Sequence, residues 1–190
     1  MRKLVVTEFV TLDGVMEDPG GAEGTPFGGW AFKADRGPDG DEYKLRELLD
    51  ADILLLGRKT YEGFAAAWPS MSDEAGFADK MNTMRKAVVS STLTDPSWAN
   101  TQVIGLEQVE DLKAEDGGDI LVAGSASLVA ALLEHDLVDE LRLMSFPVIA
   151  GQGRTLFDGP VPPHAWQLVE ARPTGEAWVQ TLRRDRDRYR

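Results

Sequence analysis

The stretch that decides the fold reads Ile53-Leu54-Leu55-Leu56-Gly57-Arg58-Lys59-Thr60-Tyr61-Glu62. Its continuous apolar run predicts a buried strand, and the glycine that ends the run predicts a turn into a helix. Free N–H groups and the dipole at the start of that helix favour an anion, and Arg58 and Lys59 add two positive charges. The stretch therefore predicts a phosphate-binding turn; the alternative is a solvated basic pair at the end of an ordinary strand.

Length and composition limit the class of protein. The 190 residues fit a single domain, 1–190, and 43% hydrophobic residues are typical of a globular fold. The absence of cysteine excludes disulfides, thiolate metal sites and cysteine nucleophiles. The two histidines, His135 and His164, are too few for a histidine-rich zinc site. We therefore expect no metal, and we assign neither histidine a catalytic role.

The charge of the chain limits its ligands. A formal net charge of -12 argues against general binding to nucleic acid or anionic membranes, because phosphate groups are repelled at long range. No run approaches eighteen apolar residues, so no membrane span is expected. We expect a soluble, cytoplasmic protein with a small-molecule ligand, and an anionic cofactor needs a locally positive pocket.

Strands alternate with helices along the chain, which favours an α/β sheet of mainly parallel order. The predicted strands are 3–10, 52–56, 86–90, 102–104, 119–123, 138–146, 166–172 and 176–183. The predicted helices are 41–51, 59–66, 74–84, 107–114 and 126–134. Residues 11–40 are rich in glycine and lack apolar periodicity, so they predict a long loop that covers the active site.

Small, basic or hydroxyl-bearing residues follow three of the predicted strands. These segments are Gly57-Arg58-Lys59-Thr60, Ser90-Ser91-Thr92 and Gly124-Ser125-Ala126-Ser127. Because ligands collect beyond the carboxyl ends of strands in an open α/β sheet, the three segments are expected to converge. Their hydroxyls and backbone N–H groups supply donors for a diphosphate and a further phosphate. Helix capping by Ser125 or Ser127 is the alternative, and it is compatible with phosphate binding.

The order of these segments resembles the dihydrofolate reductase-like superfamily, and most closely the branch similar to the reductase domain of the bifunctional riboflavin biosynthesis protein. The stretches that carry the resemblance are 10–15, 55–62, 90–92, 122–128 and 146–157. The resemblance implies a three-layer α/β/α fold with a mostly parallel central sheet and an antiparallel C-terminal strand. It also implies a homodimer, with 138–148 as one possible interface strand.

The resemblance further implies NADPH as cofactor and assigns its contacts position by position. The cofactor-binding set is Thr7, Gly14, Gly57, Arg58, Lys59, Thr60, Ser90, Ser91, Thr92, Gly124, Ser125, Ala126, Ser127 and Leu128. In this set Thr7 is placed beside the nicotinamide, and Arg58 and Lys59 meet the 2′-phosphate that distinguishes NADPH from NADH. The folate enzymes have consecutive glycines at the second turn, whereas this chain continues from Gly124 to Ser125.

The proton that accompanies hydride transfer has two candidate sources. Reduction of a C=N bond needs a carboxylate, or a water molecule held by one, to protonate the nitrogen. The spacing in the folate enzymes leads to Asp41, for which helix capping is the alternative. Asp13 in the loop is preferred, although Asp13-Gly14 also suits an ordinary turn. The basic residues that could hold a substrate phosphate are Lys33, Arg36 and Arg154.

Aromatic residues are candidates for the walls of a site for a planar heterocycle. Trp30 and Phe32 lie in the glycine-rich loop and are the expected substrate neighbours. Tyr61 is a further candidate, but it shares helical spacing with Phe64 and Trp68, which is more typical of core packing.

The sequence thus predicts an NAD(P)H-dependent reductase that transfers hydride to the imine or carbonyl carbon of a small pteridine- or pyrimidine-like heterocycle. One alternative is the 5-amino-6-(5-phosphoribosylamino)uracil reductase of riboflavin biosynthesis. The other is a non-catalytic nucleotide-binding or small-molecule-binding protein. The arginine-rich C-terminus, 183–190, is expected to be a solvated tail.

Overall fold

A computed structural model describes residues 1–188, which contain eight strands in a single sheet. The strands are β1 (Leu4–Thr11), β2 (Ala51–Gly57), β3 (Arg85–Val89), β4 (Thr101–Ile104), β5 (Asp119–Ala123), β6 (Glu140–Phe146), β7 (Ala165–Thr174) and β8 (Ala177–Asp185). Their order across the sheet is β4-β3-β2-β5-β1-β6-β8-β7. The pairs from β4 to β6 are parallel, and β8 is antiparallel to both β6 and β7. The predicted fold class is confirmed.

The same residues contain five α-helices, and all predicted strands and helices are present with small shifts at their ends. The helices are α1 (Gly37–Asp50), α2 (Arg58–Ala67), α3 (Phe77–Thr83), α4 (Val109–Ala114) and α5 (Ala126–Glu134). α1 begins earlier than predicted because Pro38, with its fixed φ, suits the first helical turn. The helix predicted at 107–114 is a 3-10 turn, Leu106–Gln108, followed by α4.

One expectation for the C-terminal third is corrected, and one stays a prediction. Residues 183–185 belong to β8, and Arg184 and Arg186 donate hydrogen bonds to Asp136 at 2.8 and 3.1 Å, so these residues do not form a solvated tail. Tyr189 and Arg190 lie outside the described residues. The proposed interface strand is mostly β6, whose two edges are paired with β1 and β8, and the homodimer stays a prediction.

The apolar run at the end of β2 is continuous because helices cover both of its faces. Ile53 and Leu55 pack with α4 and α5 in one core cluster. Leu54 and Leu56 pack with α1, α2 and α3 in the cluster on the opposite face. Parallel strands buried on both faces are expected to lack polar alternation. Within residues 1–188 no helix combines the length and apolar character needed to cross a bilayer.

The helix layers create a crevice at the carboxyl ends of the central strands. The chain leaves β1 and β2 toward helices on one face of the sheet, but it leaves the intervening strand β5 toward α5 on the other face. Connections that depart to opposite faces leave a gap between neighbouring strand ends, and this is where open α/β sheets bind ligands. The topology therefore places a candidate site at the ends of β2, β5 and β1.

Lys86 is a fully buried lysine beside this sheet. Its Nζ donates to three backbone carbonyls, those of Asn82, Met84 and Ala99, at 2.9 to 3.1 Å. Nζ also lies 4.3 Å from the centre of the Trp98 ring. Burial lowers the pKa of Lys86 to about 8. The ammonium thus joins the end of α3 to the segment before β4.

Lys86→Met is expected to lower the free energy of unfolding by about 3 kcal/mol, because three carbonyls lose their donor while remaining largely buried. Denaturant unfolding of the purified variant measures this change. Lys80→Met on the neighbouring helix α3 is the control, because Lys80 Nζ makes only one long contact, 3.5 Å from the Leu49 carbonyl. Equal stability of the two variants would contradict a structural role for Lys86.

Candidate functional site

Two turns meet at the carboxyl ends of β2 and β5, which are neighbours in the sheet. The backbone N–H of Gly57 donates to Ser125 Oγ at 2.9 Å, and the backbone N–H of Ser125 donates to Thr60 Oγ1 at 2.9 Å. These reciprocal hydrogen bonds join the starts of α2 and α5. The structure thereby brings together two of the three segments expected to converge.

The second turn depends on an unusual backbone conformation. Gly124 and Ser125 both have left-handed φ values, +58° and +62°. A Cβ atom at position 124 would lie 3.0 Å from Thr60 Cγ2, so glycine allows the turn to close against α2. Ser125 occupies the N-cap position of α5, but its Oγ accepts the Gly57 N–H and makes no capping bond. The capping alternative for Ser125 is therefore wrong.

Neither α2 nor α5 has a side-chain cap among the described residues. The first N–H groups of both helices thus lack the partner that a cap provides, and both dipoles add partial positive charge at the same edge of the sheet. Helix N-termini of this kind bind phosphate groups. Ala126 and Leu128 pack into the core and anchor α5, so the backbone is the part of these two residues that can reach a ligand.

Three cationic side chains surround the helix starts. Arg58 opens α2 and pairs with Glu62 at 2.9 Å, while Lys59 is exposed beside it. Arg154 donates from Nη2 to Ser127 Oγ at 3.0 Å, which holds a guanidinium at the first turn of α5. These side chains bring positive charge to the edge, as an anionic ligand requires, and two of them have an acidic neighbour: Glu62 beside Arg58, and Asp158 at 3.9 Å from Arg154.

The third expected segment follows β3, whose end pairs with Gly57 across the sheet. Ser90 Oγ accepts hydrogen bonds from the backbone N–H groups of Thr92 at 3.1 Å and Leu93 at 3.0 Å. Ser90 thus closes a local turn, and Ser91 and Thr92 are exposed at the outer end of the candidate site. All three segments lie at the carboxyl edge of adjoining strands.

Asp13 fixes the loop that follows β1. Its carboxylate accepts hydrogen bonds from Thr11 Oγ1 at 2.5 Å, from the Gly151 N–H at 2.8 Å and from the Ala150 N–H at 3.1 Å. These hydrogen bonds, that of Thr11 foremost, lower the pKa of Asp13 to about 2. The carboxyl group is therefore ionised at neutral pH and has no proton to donate. Orienting a water molecule that donates the proton stays a prediction for Asp13. Gly14 follows in a left-handed conformation, φ +79°.

The rest of the loop is folded around Asp18, which is buried. Its carboxylate accepts hydrogen bonds from the Glu23 N–H and from both the N–H and the hydroxyl of Thr25, at 2.8 to 2.9 Å. Its own carbonyl accepts the Gly29 N–H at 2.9 Å. The predicted loop is thus present, but one aspartate organises it into a compact segment.

The predicted aromatic wall is mostly core. Trp30 is completely buried and donates from Nε1 to the Glu17 carbonyl at 3.0 Å, so it anchors the loop instead of facing a ligand. Tyr61 is 2% exposed, and its hydroxyl accepts the Trp98 N–H at 2.9 Å, as the core-packing alternative anticipated. Phe32, by contrast, is 74% exposed.

Asp41 lies inside α1, so it is not an N-cap. Its side chain is 64% exposed and pairs with Arg36 at 2.5 Å. Arg36 also lies 5.7 Å from the centre of the Phe9 ring on β1, and Lys33 is exposed. The catalytic assignment of Asp41 and the substrate-phosphate assignments of Lys33 and Arg36 stay predictions.

A cluster of buried polar side chains lies under α1, and the sequence did not predict this cluster. Thr7 Oγ1 donates to Glu47 Oε2 at 2.8 Å, and Lys44 Nζ lies 2.5 Å from Thr7 Oγ1 and 2.6 Å from Glu47 Oε2. Lys44 Nζ is also 5.0 Å from the centre of the Phe9 ring. Thr7, Phe9 and Thr11 share one face of β1, and Thr11 ends the strand at the candidate site. The Lys44 ammonium beside Thr7 and Phe9 therefore lies just below that site.

Sequence patterns gave little signal for this cluster. Lys44 and Glu47 are three residues apart on a helix, a spacing that normally indicates a solvent-exposed ion pair. Leu45, Leu48 and Leu49 have helical spacing and so predict the buried face of this helix, but Leu49 is 54% exposed and Glu47 is buried. A polar Thr7 within an apolar strand was the one available hint of a buried polar partner.

The sheet and the joined turns define a mostly parallel α/β protein of the dihydrofolate reductase-like architecture, with a crevice at the carboxyl ends of its central strands where two helix N-termini without side-chain caps meet. The chain belongs to the RibD C-terminal domain family, whose model matches residues 2–180.

The chain is also similar to several individual proteins. The chain is similar to the uncharacterized protein YyaP of Bacillus subtilis (strain 168), with 30% identity over 163 residues, covering 82% of this chain and 80% of YyaP. YwjB from the same strain is 27% identical over 161 residues, covering 82% and 83% of the two chains. A crystal structure from Shewanella sp. PV-4, provisionally assigned to riboflavin biosynthesis, shares the fold with a TM-score of 0.76 at 19% identity, covering 97% and 99% of the two chains.

Proposed function

We propose that the protein is an NADPH-dependent reductase that transfers hydride to the C=N or C=O carbon of a small planar heterocycle. The observation that carries this proposal is the pair of uncapped helix N-termini that Gly57, Thr60 and Ser125 join at one edge of the sheet. Two adjacent sets of free N–H groups match the two phosphates of a dinucleotide better than a single anion.

The residues around the joined turns fit NADPH, which supplies a hydride when bound. The N–H groups at the starts of α2 and α5 would hold the diphosphate. Arg58 and Lys59 would meet the 2′-phosphate, with the turn at Ser90 beside them. Arg154 adds a charge at the α5 end of the same crevice. Thr7 would lie toward the nicotinamide because β1 forms the inner wall.

Lys44 is our choice for proton delivery. Its side chain is mostly buried and contacts Thr7 and Glu47. Its ammonium lies beside Phe9, on the same face of β1 as Thr7. Asp13 is already ionised and occupied by its loop. A positioned ammonium can protonate the nitrogen or oxygen that develops negative charge as hydride arrives.

Membership of the RibD C-terminal domain family supports 5-amino-6-(5-phosphoribosylamino)uracil as the first substrate to test. We also propose that the protein acts in the cytoplasm as a homodimer, which sedimentation velocity would measure. A free edge for such pairing exists at β7, where Leu168 and Val169 are exposed.

Titration calorimetry with NADPH and NADH tests the cofactor assignment. We expect NADPH to bind more tightly than NADH, and Arg58→Ala to weaken NADPH about tenfold while leaving NADH nearly unchanged, because a charge-assisted phosphate contact is lost. Arg46→Ala is the matched control, since Arg46 makes the same exposed i,i+4 pair with Glu42 on a different helix.

The outcomes separate the function classes. Failure to bind either nucleotide would reject the reductase proposal. Binding without oxidation of NADPH, in the presence of the uracil substrate and a panel of pteridines, would favour the non-catalytic alternative. If Arg58→Ala and Arg46→Ala change NADPH affinity equally, only the assigned 2′-phosphate contact is rejected and the reductase proposal stands.

A further inference from the structure

Glu8 is a buried acid at the inner wall of the candidate site. Thr7, which precedes Glu8 in β1, pairs with Ala123, the last residue of β5. Glu8 therefore extends one residue past the end of β5 and lies level with Gly124. Side chains alternate along a strand, so Glu8 points to the same face as Val6 and Val10, which pack with α5. The carboxyl group is therefore placed beneath the turn that begins α5.

The surroundings of Glu8 satisfy its carboxyl group only in part, because the Gly124 N–H is the one hydrogen-bond donor that acts on it and Oε1 is left over. The residue is 5% exposed, and its Oε1 has no hydrogen-bond partner within residues 1–188. The other residues of β1 on this face are apolar, and so is Leu143, its partner on β6. A buried polar atom that lacks a partner costs stability, so its retention calls for a role.

The charged groups that act on Glu8 come from α1, on the other side of the sheet. Burial raises the pKa of Glu8 well above its usual range; the Lys44 ammonium and the Gly124 N–H oppose this shift in part, and Glu47 adds to it. The residues of α5 that pack on this face, Leu128 and Val129, are apolar. The raised pKa favours the protonated form of the Glu8 carboxyl group, and that form has an O–H group to donate.

We propose that Glu8 is a ligand-binding residue whose carboxyl group donates a hydrogen bond to a diphosphate or ribose oxygen lying across the Gly124–Ser125 turn. This inference rests on the proposed function, because the dinucleotide supplies the acceptor. A carboxylic acid can take this role only while protonated, as its ionised form would repel a diphosphate at short range and low dielectric. Glu8 therefore links cofactor binding to pH.

The test is NADPH titration calorimetry from about pH 5 to about pH 9.5, in which Glu8→Gln also reports the contribution of the phosphate monoester that titrates near pH 6. The wild type is expected to lose about tenfold in affinity as pH rises through the ionisation of Glu8. Glu8→Gln, which keeps a donor and cannot ionise, should bind as the wild type does at low pH and show no such loss. Glu8→Ala should bind about tenfold more weakly throughout the range.

A ligand-free measurement reports on the protonation state. A carboxyl whose folded-state pKa is raised contributes stability that is fully present below the unfolded pKa and is lost as pH rises through the folded pKa. Glu8→Gln should therefore match the wild type in denaturant unfolding near pH 4 and become the more stable protein as pH rises above about 4.5. Identical profiles would overturn the assignment of a neutral Glu8.

The outcomes also distinguish this inference from the proposed function. If the wild type binds no nucleotide at any pH, both fail. If it binds NADPH and Glu8→Ala binds equally well, or if Glu8→Gln shows the same loss with pH as the wild type, the role of Glu8 is overturned and the reductase proposal stands.

Discussion

Lys44→Met is expected to reduce the rate of hydride transfer by about 10²- to 10³-fold, the usual contribution of a positioned general acid. It should also lower the free energy of unfolding by about 3 kcal/mol, because Glu47 is then a buried carboxylate without its ion-pair partner. NADPH affinity should change little, since Lys44 lies on the opposite face of the sheet from the α5 turn. Steady-state NADPH oxidation with the uracil substrate measures the rate, denaturant unfolding measures the stability, and titration calorimetry measures the NADPH affinity.

A double variant separates chemistry from stability. Lys44→Met/Glu47→Gln removes both charges, so most of the stability should return, to within about 1 kcal/mol of the wild type. The slow turnover should persist, because the proton source is still missing. Arg46→Met removes a positive charge from the exposed side of the same helix and should have no effect on turnover. A double variant with wild-type turnover would reject Lys44 as the proton donor.

Gly124→Val is expected to weaken NADPH binding about 100-fold, equivalent to about 3 kcal/mol. A branched side chain is strained at φ +58°, and it would push Thr60 away from the Ser125 N–H, opening the joined turns. Loss of two charge-assisted hydrogen bonds to the diphosphate accounts for the size of the effect. Titration calorimetry measures the affinity directly.

Gly76→Val is the matched control for backbone strain. Gly76 precedes α3 with φ +84°, and a Cβ atom there would meet nothing within 4 Å. Both variants should lose about 2 kcal/mol of stability from the left-handed backbone. Only Gly124→Val should lose NADPH affinity; comparable losses in both would show that global strain, not the turn, governs binding.

The elements that could be predicted are those set by local chemistry. The run from Ile53 to Leu56 had to be a strand because it is apolar on both faces, and Gly57 had to end it. Because ligands collect beyond the carboxyl ends of strands in an open α/β sheet, the turns at Gly57 and Gly124 were expected to lie together without any knowledge of strand order. This expectation could not say how they are joined, because the hydrogen bonds of Ser125 depend on its left-handed conformation.

The parts that could not be predicted depend on distant contacts. Trp30 stands in a glycine-rich segment, so it was expected to be exposed to substrate, but Asp18 folds the loop so that the indole is buried against β6. Lys44 and Glu47 have the spacing of a surface ion pair, and only the position of α1 over Thr7 makes them a buried cluster. Burial of this kind is a tertiary property.

The hydrogen bonds that join the two turns span 65 and 68 residues of chain. Contacts of such long sequence separation form late, because the entropy of closing the intervening loop must be overcome first. A ribosome-bound fragment that ends before α5 would carry the first turn but no partner for it. The binding site should therefore mature only with the complete central sheet, so the appearance of cofactor affinity during refolding would mark the final stage of assembly and not its nucleus.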